Sequence, residues 1–504
     1  MAAVSTGDAM TTTAPRDTAA FDGNRPKYSG DWRDEESAGI VPVPLANRYG
    51  TAGRMFPVWV GPNMGISSVF IGTVGVLLLG LSFGQTEIAL IVGIVIGAIP
   101  VAALCTMGPR TGTGQLPFAR LPFGRGAILP GTFQWASAVG WVAIGCLFGA
   151  QAAHLLFHVP FWAGALIVVA ATMAISIRGY EAAVLAQITG TVVMPVLFAI
   201  LTWRIFSSHH IVLAHATVHG GAATGAFILM VTVAASGSFS WASYAADYSR
   251  YLPGNTSSRR VFWYSLAGLL VAFIWLGSIG AAASSVLGNQ TAAGIRNLMG
   301  GGALGELALI AIVFAAIISS VMNDYSGSLA LQTVEIRVKR PYLSAIGGLL
   351  AFGLIMWVNA GNTSGRLTNI LLLTAYWCAP FAAIVGVDWW WRRRQLAQIA
   401  ATARDTGQDV PGYIQDAMAW HNLPSGWRPV VAFALACGAM VPFMNTYYVY
   451  GAAARAMNGA DISYIVGAII AGALYVALLL LARQPYGAHA RSPAAVRPAR
   501  GGTV

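Results

Sequence analysis

Charge is what this sequence has least of. Only 9% of its 504 residues are Asp, Glu, Lys or Arg, while 56% are hydrophobic. A soluble chain would carry roughly a quarter charged residues, so a soluble globular protein is excluded. Cysteine is scarce too. Cys105, Cys146, Cys378 and Cys437 all sit inside apolar stretches, without metal-ligand spacing, and read as reduced structural thiols. The ten-residue alternation of apolar and polar residues that marks a membrane β-barrel is missing. Residues 1–55 lack the apolar core of a signal peptide and are rich in Pro, Thr, Asp and Gly; a disordered cytoplasmic tail is expected there. Within the apolar segments no nucleophile–base pair and no metal-ligand cluster stands out, so no catalytic residue, no metal and no enzyme activity is expected.

In place of charge there are long apolar runs, about 20 residues or more, enough to cross a hydrocarbon core of about 30 Å as helices. Twelve segments can be drawn, at 56–80, 86–107, 127–157, 160–178, 181–206, 223–251, 261–287, 304–331, 342–359, 365–388, 429–452 and 462–483. The fold class is therefore all-α and polytopic, with the lipid bilayer as its surroundings. With the N-terminus inside, 25 of the 29 Lys and Arg fall on cytoplasmic pieces, and only Arg204, Arg296, Arg366 and Arg455 fall opposite. That asymmetry places both termini in the cytoplasm. It also accounts for the net charge of +11 without any nucleic-acid partner. The longest internal connection, 389–428, opens with "WWWRRRQ" and reads as an interfacial anchor followed by an amphipathic segment. It sets segments 11 and 12 (429–483) apart from a ten-segment core, and 484–504 is a second cytoplasmic tail. His209, His210, His215 and His219 cluster in the external loop 207–222, without an acidic partner nearby.

Polar residues inside a membrane are costly, and their positions are informative. Segment 1 carries Asn63, Gly65, Ser67, Ser68, Gly72 and Gly75. Segment 6 carries Ser236, Gly237, Ser238, Phe239, Ser240, Trp241 and Ser243. Both are poor continuous helices. They hold equivalent positions in two five-segment halves, 56–206 and 223–388, which is the pattern of a transporter with inverted repeats and a central site. Close packing through small residues is the rival explanation, strongest for Gly72 and Gly75. Trp59, Trp389, Trp390 and Trp391 suit an interfacial belt. Trp141, in the middle of segment 3, does not, and an indole at that depth can stack on a flat heterocycle. In segment 8, Ser319, Ser320, Asn323 and Gly327 share one helical face. Asn323 offers a donor and an acceptor to a ligand edge, or an interhelical hydrogen bond. Asp324 and Asp247 are the acids that can carry a proton. Asp247 can instead pair with Arg250, three positions on, beside Tyr251 at the end of segment 6.

These residues sit in recognisable motifs. "YAADYSRYLP" (Tyr244–Pro253), "MGPRTGTGQLPFARLPFGRG" (107–126), "VGW" (139–141), "IGTVGVLLLGLSFGQ" (71–85) and "NDY…LQ" (Asn323–Gln332) together resemble the nucleobase–cation symporter-1 family, purine–cytosine permease type. The resemblance implies a LeuT-like fold, two inverted five-helix repeats plus two extra helices. It also implies import of a small heterocycle, cytosine or a purine, by symport with a proton or sodium and without a cofactor. Hydantoins, allantoin, thiamine and pyridoxine are the alternative substrates, and a channel or transport-like sensor is a more remote reading. Trp141 and Trp241 correspond to the aromatics that sandwich the ring, Asn323 to the amide that hydrogen-bonds it and Ser68 to a nearby hydroxyl. Ser67, Ser238 and Phe239 flank them. Four residues after Trp141, where many members have Asn or Gln, this chain has Gly145, which is expected to leave room for a bulkier ligand or a water. Sodium-coupled relatives place hydroxyls five and six positions before the segment-8 Asn. Here those positions are Ile318 and Ile317, which cannot ligate a hard cation and so favour a proton. Ser319 and Ser320, one register away, keep sodium open. Oligomeric state is left open, a monomer being sufficient for such a site.

Overall fold

The computed structural model describes residues 39–207, 213–287, 291–336, 338–406 and 409–481. Among them the chain is helical throughout, with one isolated bridge between Asn445 and Tyr450. Nine helices are long and apolar enough to cross a membrane, ten when the bent pair Ala52–Asn63 and Ile66–Leu77 is taken as one span. Two shorter apolar helices, Phe161–Ser176 and Trp427–Phe443, stand at segments 4 and 11. The protein is thus a multi-pass membrane protein.

Segments 2, 3, 5, 7, 8 and 9 are the helices Phe83–Cys105, Ile128–Phe157, Tyr180–Ser207, Ser258–Ala282, Gly302–Thr333 and Arg340–Asn359. Segment 10 runs on past its expected end as one helix, Thr363–Thr406, so the "WWWRRRQ" stretch extends a spanning helix instead of starting a separate one. Segment 12 is Ser463–Leu481 and packs on segments 10 and 11. The loop 107–126 folds into short helices.

Segments 1 and 6 are both interrupted. Segment 1 bends by 61° between its two parts. Pro62 supplies no N–H, and Gly65 is extended (φ −131°, ψ 163°). The freed carbonyls are taken by side chains: Asn63 Nδ2 donates to Trp59 O (2.7 Å) and Ser68 Oγ to Asn63 O (2.7 Å). Segment 6 is α-helical over Gly220–Phe239, tightens to 3-10 over Ser240–Ser243 and resumes at Ala245–Ser249. Ser236 and Ser240 donate to the carbonyls three residues back (2.7 and 2.9 Å), a local bond that competes with regular helix geometry.

The core divides into two packed groups. Segments 1, 2, 6 and 7 contact one another extensively, and so do segments 3, 4, 8 and 9, while segment 5 touches segments 1 and 8. Each group takes two segments from each half of the chain. Small residues bring backbones together inside each group. A Cβ on Gly72 would lie 1.9 Å from Gly277 O, and one on Gly280 would lie 1.9 Å from Val69 O. Gly75 packs on Thr86 in the same way. For Gly72 and Gly75 the close-packing explanation is therefore the correct one, and the unwinding lies elsewhere in the same segments.

Residues 39–54 correct the expected N-terminal tail. Val43, Arg48 and Ala52 are buried. Val43 N donates to Gly112 O (2.7 Å), Tyr49 N to Tyr251 O (2.8 Å) and Arg48 Nη1 to Pro109 O (2.8 Å). This stretch straps the loop 107–126 to the end of segment 6. Burial pulls the Arg48 guanidinium down to about 10, with Asp409 opposing the shift. Residues 1–38 and 482–504, and with them most of both expected tails, lie outside the described residues, as do His209 and His210. Among the described residues no three His, Cys, Asp or Glu side chains group as metal ligands.

Candidate transport site

The broken segments bring most of the expected residues to the seam between the two groups. Trp241 (segment 6) belongs to the first group and Trp141 (segment 3) to the second, and both are buried. Trp241 is held on three sides. Its Nε1 donates to Asn63 Oδ1 at 2.9 Å. Trp59 meets it edge-on at 5.6 Å and Tyr244 at 5.1 Å. Trp59 is therefore no interfacial anchor: it is fully buried and props the segment-6 indole. Trp141 differs, since its Nε1 is buried without a hydrogen-bond partner. Such an N–H is costly unless something else accepts from it.

Ser68 is buried beside the break, satisfying Asn63 O, and Ser67 next to it is partly exposed. Asn323 is buried, with Nδ2 donating to Ser319 O at 3.0 Å. Gly145 does not open onto free space. A Cβ there would lie 2.5 Å from Ser320 Oγ and 3.1 Å from Ser319 Oγ. Hydroxyls of segment 8 fill the place of the absent side chain, which corrects the expectation of added room. Ser320 Oγ also accepts from Cys146 Sγ at 3.5 Å, and Ser319 Oγ donates to Ala316 O at 3.2 Å. Ser238 lies apart from this set: its hydroxyl donates to Ile94 O at 3.1 Å, on the interface with segment 2. Phe239 is buried just before the segment-6 break.

The two acids fall in different surroundings. Asp324 stays within the second group, accepting hydrogen bonds from Ser176 (2.5 Å) on segment 4 and Ser344 on segment 9. Asp247 spans the groups. Its Oδ1 accepts from Gln115 N (2.8 Å) and its Oδ2 from Ser326 Oγ (2.5 Å) on segment 8. Gly114 makes the first bond possible, because a Cβ there would lie 2.7 Å from Asp247 Oδ1. Arg250, fully buried, donates to Gly39 O (2.8 Å), Tyr251 Oη (3.1 Å) and Tyr325 Oη (3.0 Å). Tyr248 Oη donates to Met322 O (3.2 Å), and Tyr180 stacks on Tyr251 at 3.7 Å. Together these close the seam at the N-terminal face. Farther from that face Phe70 of segment 1 meets Phe148 of segment 3 at 5.8 Å.

Several of these contributors do not stand out in the sequence: Trp59, Tyr248, Tyr325, Ser326 and Gln115. Asn63 had a legible signal, the Gly61-Pro62-Asn63 run that breaks the helix.

Comparison with known proteins agrees with this arrangement. A family of permeases for cytosine/purines, uracil, thiamine and allantoin matches residues 42–467. The candidate purine-cytosine permease YxlA of Bacillus subtilis is 28% identical over 460 residues, 87% of this chain and 94% of the relative. The purine-cytosine permease fcyB of Emericella nidulans is 24% identical, covering 88% of each chain. Among solved structures, Mhp1, a nucleobase-cation-symport-1 family transporter in a closed conformation with bromovinylhydantoin bound, superposes with a TM-score of 0.68 at 18% identity, covering 90% of this chain and 96% of that one. The fold is accordingly the LeuT-like one, and the chain belongs to the cytosine/purine, uracil, thiamine and allantoin permease family, a family of transporters and not of enzymes.

Proposed function

We propose that this protein imports a nucleobase, cytosine or a purine, across the cell membrane by symport with a cation, and that the cation is a proton. The N-terminal face is the cytoplasmic one, with both termini inside. The observation that carries the reading is the pair of buried indoles, one on each packed group, beside the breaks of segments 1 and 6. The ring stacks between Trp141 and Trp241, and the unpartnered Trp141 Nε1 finds its acceptor on the ligand. Asn323, Ser68 and the freed backbone of the breaks read the ring's edges. Separation of the groups on one side and then the other moves the ring through. Asp247, whose bonds join the groups at the inner mouth, is better placed than Asp324 to couple a proton to that separation.

Counterflow in proteoliposomes tests this, with a competitor panel of cytosine, adenine, guanine, hypoxanthine, uracil, allantoin, hydantoin, thiamine and pyridoxine. Competition by cytosine or a purine is expected. If all four of cytosine, adenine, guanine and hypoxanthine fail while another heterocycle competes, the substrate assignment is wrong and the transport reading stands.

A further inference from the structure

Segment 5 carries a polar residue that the substrate site does not use. Gln187 is fully buried within Tyr180–Ser207. Its Nε2 donates to the carbonyl oxygen of Ile318 on segment 8 at 2.8 Å. Its Oε1 is buried without a hydrogen-bond partner and lies against the break of segment 1: a Cβ on Gly61 would sit 2.8 Å from that oxygen and 2.5 Å from the Gln187 carbonyl. One turn on, Thr191 Oγ1 donates to Pro57 O at 2.9 Å, so segment 5 is fastened to segment 1 one turn before Gly61. The carboxamide is wedged between the break of one group and the central helix of the other.

A hard cation at such a junction needs several oxygen lone pairs directed inward. Here the Ile318 carbonyl already receives an N–H, and the side chains at 317 and 318 offer no oxygen. The hydroxyls that keep a shifted site open in the sequence are already engaged: Ser319, beside Gly65 of the segment-1 break, donates to Ala316 O of its own helix, and Ser320 accepts from Cys146 on segment 3. We propose that the Gln187 carboxamide takes the place of a coupling cation between segments 1 and 8, a neutral tie that is always present, so that uptake runs without sodium. The inference rests on the symporter reading above and narrows its ion. Gln187 is a positioning residue: it touches neither the ring nor the proton, and holds the segment-1 break against segment 8.

The test is uptake of radiolabelled cytosine and adenine into proteoliposomes, with sodium replaced by choline, for wild type, Gln187→Ala and Gln187→Glu. Binding of sodium-22 to the purified wild-type protein runs alongside. Wild-type uptake is expected to change less than about twofold on sodium replacement, and Gln187→Ala to raise KM roughly tenfold at similar maximal rate, the scale of losing one buried hydrogen bond that leaves a carbonyl unpaired. Gln187→Glu sets a carboxylate against the Ile318 carbonyl, and its uptake is expected to recover with sodium at constant pH, a response that a merely structural glutamine would not create. Saturable sodium-22 binding, sodium-stimulated wild-type uptake, or an unchanged KM in Gln187→Ala overturns the proposal. If Gln187→Ala does not fold, the wild-type and Gln187→Glu results decide. If no nucleobase is taken up at all, the substrate reading falls and sodium-22 binding still decides the tie.

Discussion

Replacing Asp247 by Asn should uncouple the transporter without emptying its substrate site. Asp247 is buried at the N-terminal end of the seam and accepts hydrogen bonds from Gln115 N at 2.8 Å and from Ser326 Oγ at 2.5 Å, among its contacts. Asn preserves size and the acceptor for Gln115, and its amide can donate to the Ser326 oxygen. Both contacts survive as neutral bonds. A bond to a charged group is worth about 1.5–3 kcal/mol and a neutral one about 1, so the closed layer loses about 2 kcal/mol in all, a shift of roughly 30-fold toward states open at that face. Two assays read this. Labelling of a cysteine placed beside the strap 39–54 should speed up in Asp247→Asn. Accumulation driven by a pH gradient should collapse while counterflow, which needs no coupling, persists. Ser326→Ala is the control: it removes one of the two bonds and leaves the acid, so labelling should rise while accumulation remains pH-dependent. If Asp247→Asn concentrates substrate with the wild-type pH dependence, Asp247 is a structural group and the coupling acid lies elsewhere.

Further expectations follow from the same geometry. Trp241→Ala should abolish uptake in a folded protein, whereas Trp241→Phe keeps a ring but loses the bond to Asn63 and should raise KM about fivefold, near 1 kcal/mol; equal KM values for Trp241→Phe and wild type would remove the Asn63 tie from the argument. Asp324→Asn weakens bonds to Ser176 and Ser344 inside one group, so thermal stability in detergent should fall by about 1–3 kcal/mol while pH-driven accumulation survives; lost coupling at normal stability would reverse the roles of the two acids. Gly72→Ala drives a methyl into the Gly277 carbonyl and should abolish monodisperse protein on size-exclusion chromatography.

The fold was legible because a membrane leaves few choices. Apolar run length places the segments without any tertiary information. The break in segment 1 was legible in Gly61-Pro62-Asn63, whereas in segment 6 the helix runs through Ser236-Gly237-Ser238 and changes only at Ser240–Ser243. Not every segment-1 glycine takes part in its break: Gly72 and Gly75 are packing glycines, while the bend belongs to Gly61–Gly65. What the sequence hid were partnerships across the seam. Trp59 looked like a belt residue by its depth, because depth says nothing about which neighbour covers a side chain. Spacing linked Asp247 to Arg250 but gave no hint of the contacts to Gln115 and Ser326 for the acid and to Gly39 and Tyr325 for the base. Gly145 promised space, and only the packing of segment 8 shows that two hydroxyls occupy it. The strap at 39–54 was missed because its composition is polar and its order comes from backbone bonds to distant loops.

The glycine contacts of segments 1 and 7 have a mechanical meaning. Two helices whose backbones touch have no layer of side chains between them to roll over or repack. Segments 1 and 7 are in that state at Gly72 and Gly277, and segments 2 and 6 approach it at Gly93 and Gly97. Inside the second group segments 3 and 4 approach in the same way at Gly164, where a Cβ would lie 2.8 Å from Ala150 O, while the side chains of Ser319, Ser320 and Ala316 fill the space between segments 3 and 8. Each group is therefore welded along its interior and deforms little. Between the groups, at the N-terminal face, the contacts are instead hydroxyls, carboxylate and aromatic edges, which part and re-form without disturbing either weld. The two groups are thus stiff within and joined at that face by polar and aromatic contacts, and segment 1, bent by 61° at its break, is the spanning segment that turns sharply.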